Sequence, residues 1–177
     1  MKFINTIEEL IAALNNTSLS EYPKVIKKVR FAEDSLLPFS TWNKCGYTRN
    51  CLARTDCYEL VLLCWDVNAQ TPIHGHGGKD CWVYQVQGSI EEMRFEEQED
   101  CLIEQNRMVL HHRRLTYMHD RMGYHSLRNI SDQKAMTLHI YASPIDSCKV
   151  YNDDKNCFEM KEMSYHTYWE EKLASTV

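Results

Sequence analysis

The sequence predicts a mainly β protein, a closed barrel or sandwich with α-helices packed on one side. The chain has 177 residues, enough for one domain with a sizeable core. Up to about residue 40, apolar residues recur at helical spacing. After it, short runs rich in β-branched and aromatic residues alternate with polar or glycine-containing turns. We therefore expect a single domain over residues 1–177, with a helical N-terminal segment at 1–40 and a β-barrel with a C-terminal extension at 41–177.

The N-terminal segment predicts two helices and a turn, all outside the barrel. The first helix is indicated by apolar residues at helical spacing, namely Ile4, Ile7, Leu10, Ile11 and Leu14. Ser18 or Ser20 is suited to cap a second helix that runs to Val29. A short turn over Asp34–Leu37 is expected to end at Pro38.

Seven strands are predicted after residue 40. They are separated by polar or glycine-containing turns and span Tyr58–Asp66, Cys81–Gln87, Ile90–Phe95, Met108–His111, Leu115–His119, His125–Ile130 and Ala135–Tyr141. The last strand alternates an apolar face with a polar one. The polar face carries Thr137, His139 and Tyr141, which are spaced to hydrogen-bond in line. This face lies either at the surface or inside the barrel.

Charge and composition exclude several classes of protein. The formal net charge is −5 and the basic residues are scattered, so nucleic acid is not expected as a partner. Residues 1–15 lack the apolar core of a secretory signal, and the longest apolar run, Leu60–Trp65, is far too short to span a bilayer. Eight cysteines without a CxxC pair or a signal are expected to be reduced thiols. We expect a cytoplasmic, monomeric protein with no membrane partner.

The most informative segment begins at His74. On a strand, His74 and His76 project from the same face, and with His125 they are suited to bind one metal ion. A carboxylate usually completes an iron or manganese site, yet Cys81 stands where a neighbouring ligand is expected. Along a flat strand Cys81 would lie on the face opposite the two histidines. We therefore predict that Gly77–Gly78 breaks the alternation and returns Cys81 to the barrel interior.

Several motifs, in order, resemble those of one enzyme family. The chain resembles the two cupin motifs at His74-x-His76-x4-Cys81-x6-Gly88 and at His125-x3-Asn129, with cysteine in place of the usual glutamate. Together with Tyr47-Thr-Arg49-Asn50 and Thr137-Leu-His139-Ile-Tyr141, this replacement resembles the arginine-type cysteine dioxygenase family, over about residues 45–150. The resemblance implies a cupin fold, that is, a double-stranded β-helix or jelly-roll barrel, with the N-terminal helices packed outside.

The resemblance implies a metal site and a substrate. His74, His76 and His125 would hold Fe2+, and the enzyme would convert free L-cysteine and O2 to cysteine sulfinate. Three neutral imidazoles leave the charge of a divalent ion uncompensated, so such a site favours a thiolate donor. Arg49, expected just before the first barrel strands, would take the substrate carboxylate bidentately, with Tyr47 close by.

The resemblance also implies a catalytic group around Tyr141. The Tyr141 hydroxyl would lie near the substrate, supported by His139 and, behind it, Thr137. Cys81 would lie beside Tyr141, and a thioether joins such a pair in the animal members of the family. Many bacterial relatives carry glycine at the position of Cys81, so the cross-link stays an open alternative in this chain.

Two other departures from the family pattern concern Thr137 and Ser143. Thr137 stands where serine is expected, which keeps the hydroxyl. Ser143 stands where relatives often carry proline after a cis bond.

Outside the motifs, His111, His112 and His119 are predicted to be surface residues. The C-terminal segment Tyr165–Glu171 is expected only to cap the barrel.

Two other functions compete with cysteine oxidation. One is the same chemistry on 3-mercaptopropionate, but those relatives tend to carry glutamine where this chain has Arg49. The other is a non-catalytic cupin that binds a metal or small ligand as a sensor. Such a sensor would not need Tyr141, His139 and Arg49 to converge on one metal.

Overall fold

The N-terminal residues form two short helices that pack against the barrel. The computed structural model describes residues 2–99 and 101–169, with α1 at Ile7–Asn15 and α2 at Tyr22–Ile26. Thr6 caps α1, since its Oγ1 accepts a hydrogen bond from the Glu9 N–H at 3.2 Å. Three expectations need correction. Neither Ser18 nor Ser20 caps α2, whose N-cap position is Glu21. α2 ends at Ile26 rather than Val29, and Pro38 lies inside a 3₁₀ turn, Leu37–Phe39, rather than ending the turn before it.

Strands make up most of the remaining described chain. They are β1 (Tyr47–Arg54), β2 (Tyr58–Trp65), β3 (Cys81–Gln87), β4 (Ile90–Gln98), β5 (Cys101–Leu110), β6 (Leu115–Met118), β7 (Tyr124–Asn129), β8 (Ala135–Ala142), β9 (Ser147–Asn152), β10 (Cys157–Glu162) and β11 (Thr167–Tyr168). A short 3₁₀ helix, Asp120–Met122, joins β6 to β7.

The strands form two facing groups. The first is a six-stranded sheet in the order β11-β1-β2-β8-β3-β6, in which only β11 and β1 pair in parallel. The second contains the three-stranded sheet β5-β4-β7 and the hairpin β9-β10. His74 forms isolated bridges to His125 on β7 and to Val150 on β9. The histidine-rich segment therefore fills the gap between these two parts of the second group.

Two apolar clusters form on opposite faces of the first sheet. One contains Leu60, Leu62 and Leu138 of that sheet with Leu10 and Leu14 of α1. The other lies inside the barrel and contains Val61, Leu63, Trp65, Val83 and Tyr141. The alternation of β8 thus places its apolar face against the helices and its polar face inside the barrel, as the interior alternative predicted.

The prediction of a mainly β domain with external helices is confirmed. Four strands were not predicted, namely β1, β9, β10 and β11. Arg49 lies within β1 rather than before the first barrel strand. β5 begins at Cys101, well before the predicted Met108. Within residues 2–99 and 101–169, no helix combines the length and apolar character that a bilayer crossing requires.

Candidate metal and substrate site

Three histidines meet inside the barrel. His74 and His125 exchange backbone hydrogen bonds, N–H to O, at 2.9 and 3.1 Å, which fixes the loop carrying His74 to strand β7. His76 follows two residues later in the same loop. The nitrogen atoms that the three rings offer all lie within 4.8 Å of one another. Such a cluster has the spacing of a set of ligands around one ion.

The ring nitrogens of the three histidines are available to bind a metal ion. His74 Nδ1 lies 2.9 Å from Pro72 O, so its Nε2 is the nitrogen left for an ion. Burial, with nearby His125, lowers the pKa of His74 to about 3, and burial likewise holds the pKa of His76 well below its ordinary value. His125 Nε2 and both ring nitrogens of His76 are buried without a hydrogen-bond partner in the described chain. Buried polar atoms of this kind fit a divalent metal ion.

Glu92 on β4 is a carboxylate that sequence reasoning missed. Its Oε1 lies 2.8 Å from His125 Nδ1, its Oε2 accepts from the Thr116 hydroxyl at 2.8 Å, and Arg94 lies 3.3 Å away. Burial opposes its ionisation, but the hydrogen bond and charge of His125 together with Arg94 hold the pKa of Glu92 below its ordinary value. Glu92 therefore fixes the ring of His125 so that Nε2 faces the cluster.

Replacing Glu92 by glutamine is expected to weaken metal binding by about 10- to 100-fold, because the anionic partner of His125 is lost. The measurement is a metal titration of the purified protein against a chelator of known affinity. Glu91→Gln is the matched control, since Glu91 is next in sequence and its carboxylate accepts from the partly exposed Arg107 at 3.4 Å rather than from a histidine. Equal affinities of the Glu92 variant and the wild type would show that the carboxylate has no such role.

A turn after His76 brings Cys81 to the barrel interior, as predicted. Gly77 and Gly78 have φ values of 59° and 75°, in the left-handed region that favours glycine. Asp120 holds the turn, because its two carboxylate oxygens accept from the N–H groups of His76 at 2.5 Å and Gly78 at 2.7 Å. Asp120 was not predicted from the sequence. Cys81 itself is fully buried.

Cys81 and Tyr141 are direct neighbours across β3 and β8. Burial raises the pKa of the Cys81 thiol and that of the Tyr141 phenol well above their ordinary values, so both are held protonated. The Tyr141 side chain interacts with Cys81 and also with Arg49. The peptide bonds of the described residues are all trans, including that before Ser143, which has φ 71°.

The polar face of β8 forms a hydrogen-bonded line behind Tyr141. The Tyr141 hydroxyl lies 3.4 Å from His139 Nδ1, and His139 Nε2 lies 3.0 Å from Thr137 Oγ1. Trp65 Nε1 donates to Thr137 Oγ1 at 2.9 Å, so this line of hydrogen bonds ends at a buried tryptophan of the core. Burial, with the charge of Arg49, holds the pKa of His139 well below its ordinary value, and the imidazole is neutral.

A cavity of about 250 Å3 opens onto this group. Its walls include Tyr47, Arg49, His74, His139 and Tyr141, with Cys148 beside them. The guanidinium of Arg49 points into the barrel, and its Nη2 is buried without a hydrogen-bond partner among the described residues. Cys148, which is also buried, lies 3.8 Å from the Met163 sulfur. One cavity thus joins the guanidinium of Arg49 to His74, a member of the three-histidine cluster.

Three further histidines, His111, His112 and His119, are not among the residues that line this cavity. His111 is exposed and contacts Ser89 Oγ at 3.0 Å, while His112 and His119 are partly exposed, in agreement with their predicted surface positions. Glu92 and Asp120 carried a weak signal at most, since each stands in a polar run typical of a solvated turn or strand edge.

Comparisons with known proteins agree with this geometry. A model of the family described as cysteine dioxygenase type I matches residues 6–154. Human cysteine dioxygenase type 1 is 25% identical over 134 residues, which cover 73% of this chain and 67% of the human protein. The Rattus norvegicus enzyme of the same name is 23% identical over 169 residues, covering 93% of this chain and 84% of the relative.

The solved structures support the fold. The crystal structure of TT1209 from Thermus thermophilus superposes with a TM-score of 0.50 at 18% identity, covering 61% of this chain and 93% of that one.

The family match extends over most of the chain, from the first helix into the β9–β10 hairpin. The protein therefore belongs to the cysteine dioxygenase type I family, the thiol dioxygenases of the cupin superfamily.

Proposed function

We propose that the protein is an iron(II)-dependent cysteine dioxygenase that oxidises the thiol of free L-cysteine with O2 to cysteine sulfinate. The observation that carries the proposal is the shared cavity, which is lined both by Arg49, with its unpaired Nη2, and by His74 of the three-histidine cluster. A small aminothiol with a carboxylate matches both ends of that space, because its thiol suits a metal held by the histidines and its carboxylate suits Arg49. The names of the curated relatives agree with this substrate.

In this proposal His74, His76 and His125 hold the ferrous ion, with Glu92 behind His125. The bound iron supplies a binding site for the thiolate and the electrons that make O2 reactive toward sulfur. Burial keeps His74 and His76 neutral by lowering their pKa, and the three-histidine cluster contains no carboxylate ligand of the kind common in other iron sites, which favours an anionic sulfur donor.

Arg49 binds the substrate carboxylate and thereby orients the thiol. A guanidinium pairs with a carboxylate through two parallel hydrogen bonds, which fixes direction as well as distance. Burial raises the pKa of the nearby Tyr47 phenol, so Tyr47 stays a neutral donor beside Arg49. Holding both ends of a small substrate restricts it to one pose, which is where much of the acceleration of such a reaction originates.

Tyr141 holds a proton at its hydroxyl beside the substrate. Because Trp65 Nε1 donates to Thr137 Oγ1, the Thr137 hydroxyl is left to donate to His139 Nε2. In this proposed tautomer His139 Nδ1–H donates to the Tyr141 oxygen. The Tyr141 O–H is then free to donate to the substrate or its oxidised product. The raised pKa of Tyr141 keeps this proton in place at neutral pH.

We also propose that turnover joins Cys81 to Tyr141 by a thioether. A C–S bond forms between the Cys81 sulfur and a ring carbon next to the Tyr141 hydroxyl, while one S–H and one C–H bond break. The two electrons and two protons pass to O2, which gives hydrogen peroxide. The direct cross-strand pairing of the two residues and their side-chain interaction support this step.

Intact-protein mass spectrometry tests the cross-link. Wild-type protein that has turned over L-cysteine is expected to contain a species lighter by two hydrogen atoms, and Cys81→Ala is expected to remove it. Cys64→Ala is the control, because Cys64 is equally buried but lies on the other side of the sheet, among the residues packed on the helices. An unchanged mass of the turned-over wild type would contradict the cross-link.

Oxygen uptake tests the proposed substrate. Iron-loaded protein is given L-cysteine, 3-mercaptopropionate or cysteamine in separate runs, and the sulfinate products are identified by mass. We expect fast uptake with L-cysteine. Preferred turnover of 3-mercaptopropionate would keep the iron site but overturn Arg49 as the group that selects cysteine. No oxygen uptake with any thiol, despite bound iron, would favour the alternative of a non-catalytic cupin that binds a metal or small ligand as a sensor.

A further inference from the structure

The segment after β10 forms one wall of the substrate cavity. We call residues 163–168 the C-terminal strap. Met163, Ser164 and His166 line the cavity, and the strap ends in β11, which pairs in parallel with β1. Thr167 Oγ1 also donates to Asn50 Oδ1 at 2.8 Å. The sequence predicted no more than a cap here, yet the strap lies directly against the strand that carries Arg49.

The strap contacts Arg49 through three polar interactions. The Arg49 N–H donates to His166 Nδ1 at 3.1 Å, and the His166 N–H donates to Arg49 O at 2.7 Å. At the side chain, Arg49 Nε donates to the Ser164 carbonyl at 3.2 Å. The strap therefore fixes both the backbone of Arg49 and one edge of its guanidinium.

Tyr165 lies between two arginines. Its ring centroid is 5.6 Å from Arg49 Cζ and 6.0 Å from Arg54 Cζ, both within the range of a cation–π interaction. Arg54 Nη1 also donates to the Tyr165 hydroxyl at 2.8 Å. Tyr165 is thus held at its hydroxyl by one arginine while its ring contacts the other.

Arg54 is itself fixed from the opposite side. Its Nη1 donates to Glu59 Oε1 at 3.0 Å, and its Nη2 donates to Asp146 Oδ1 at 2.5 Å. The Glu59 side chain has no exposed surface. Arg54 consequently has little freedom to move, and the hydroxyl of Tyr165 is anchored to a rigid part of the barrel.

We propose that Tyr165 is a positioning residue for carboxylate recognition, and this rests on the proposed function of the same cavity. With Nε taken by Ser164 and the guanidinium in contact with the Tyr165 ring, Nη2 is left buried and unpaired toward the cavity. A substrate carboxylate satisfies it. A thiol without a carboxylate leaves it unpaired, which a buried donor tolerates poorly. Tyr165 thereby contributes to the preference for amino-acid thiols over simple aminothiols.

The test compares two ligands that differ only by the carboxylate. L-cysteine and cysteamine are titrated without oxygen into full-length protein loaded with Co2+, and binding is followed by thiolate-to-cobalt absorption. Tyr165→Leu removes the ring and the hydroxyl, whereas Tyr165→Phe removes the hydroxyl alone. Tyr151→Phe is the control, since the Tyr151 hydroxyl donates to Asn156 Oδ1 within the β9–β10 hairpin and Tyr151 does not line the substrate cavity. Thermal unfolding of each variant verifies that it is folded.

Tyr165→Leu is expected to weaken L-cysteine binding about tenfold, which corresponds to about 1.4 kcal/mol, and to leave cysteamine binding unchanged. Tyr165→Phe is expected to show a smaller loss in the same direction, and it decides the matter if the leucine variant fails to fold. Equal losses for both ligands, or none, would overturn the role of Tyr165 and leave the proposed function standing. A wild-type protein that binds the two thiols equally would overturn the carboxylate role of Arg49 and this inference with it.

Discussion

Replacing His125 by alanine is expected to reduce the iron content of the protein to background and to abolish thiol oxidation. His125 is the member of the cluster that is tied both to the loop of His74 and to the buried Glu92. Its loss leaves two imidazoles for the ion and removes one hydrogen-bond partner of the buried Glu92 carboxylate, which keeps Thr116 and Arg94. The measurement is the iron content after anaerobic loading and desalting, followed by oxygen uptake with L-cysteine.

His111→Ala is the control for this variant, because His111 is exposed and outside the cavity. It is expected to keep full iron content and turnover. A His125 variant that retains stoichiometric iron would contradict the assignment of the three-histidine cluster as the metal site. Retained iron with lost turnover would instead indicate that His125 acts on the substrate.

Replacing Arg49 by glutamine is expected to lower kcat/KM for L-cysteine severely while iron binding is kept. Truncating one partner of a buried charge pair costs about 2–5 kcal/mol, which corresponds to a fall of about 30- to 4,000-fold. Glutamine is too short and uncharged to take the carboxylate as the guanidinium does. Steady-state oxygen uptake over a range of L-cysteine concentrations measures the change.

The Arg49 variant is most informative when several thiols are compared. Cysteamine has no carboxylate, so its turnover is expected to be unaffected, and 3-mercaptopropionate is expected to gain relative to L-cysteine. Arg128→Gln serves as the control, since Arg128 is exposed and its side chain donates to Asn68 Oδ1 at 3.5 Å, away from the cavity. An unchanged kcat/KM for L-cysteine in the Arg49 variant would show that the carboxylate binds elsewhere.

The barrel strands could be predicted where their sequence pattern is strong. β2 and β8 are buried on both faces, and their runs of apolar and β-branched residues identify them without ambiguity. β10 and β11 are mostly exposed and polar, so periodicity gave no signal there. These strands form through pairing with β9 and β1, that is, through tertiary contacts that no local pattern encodes.

The candidate site could be predicted where ligands recur at fixed spacing. Two histidines two residues apart, followed by glycine, predicted both the metal cluster and the break that returns Cys81 to the interior. Glu92 was not predicted because Glu91 and Glu92 are adjacent glutamates that the sequence alone does not distinguish. They lie on opposite faces of β4, so that Glu91 contacts Arg107 at the surface and Glu92 contacts the buried His125. The proposed role of Tyr165 was not predicted for a different reason, since it depends on a contact between the C-terminal strap and β1.

In the proposed reaction the protein inserts both atoms of O2 into the thiol of L-cysteine. The most direct measurement is the mass of the sulfinate formed by iron-loaded protein under heavy-isotope O2. We predict that both sulfinate oxygens carry the label. Label in one oxygen only, with the other taken from water, or a disulfide as the sole product, would contradict the dioxygenase assignment for this cavity.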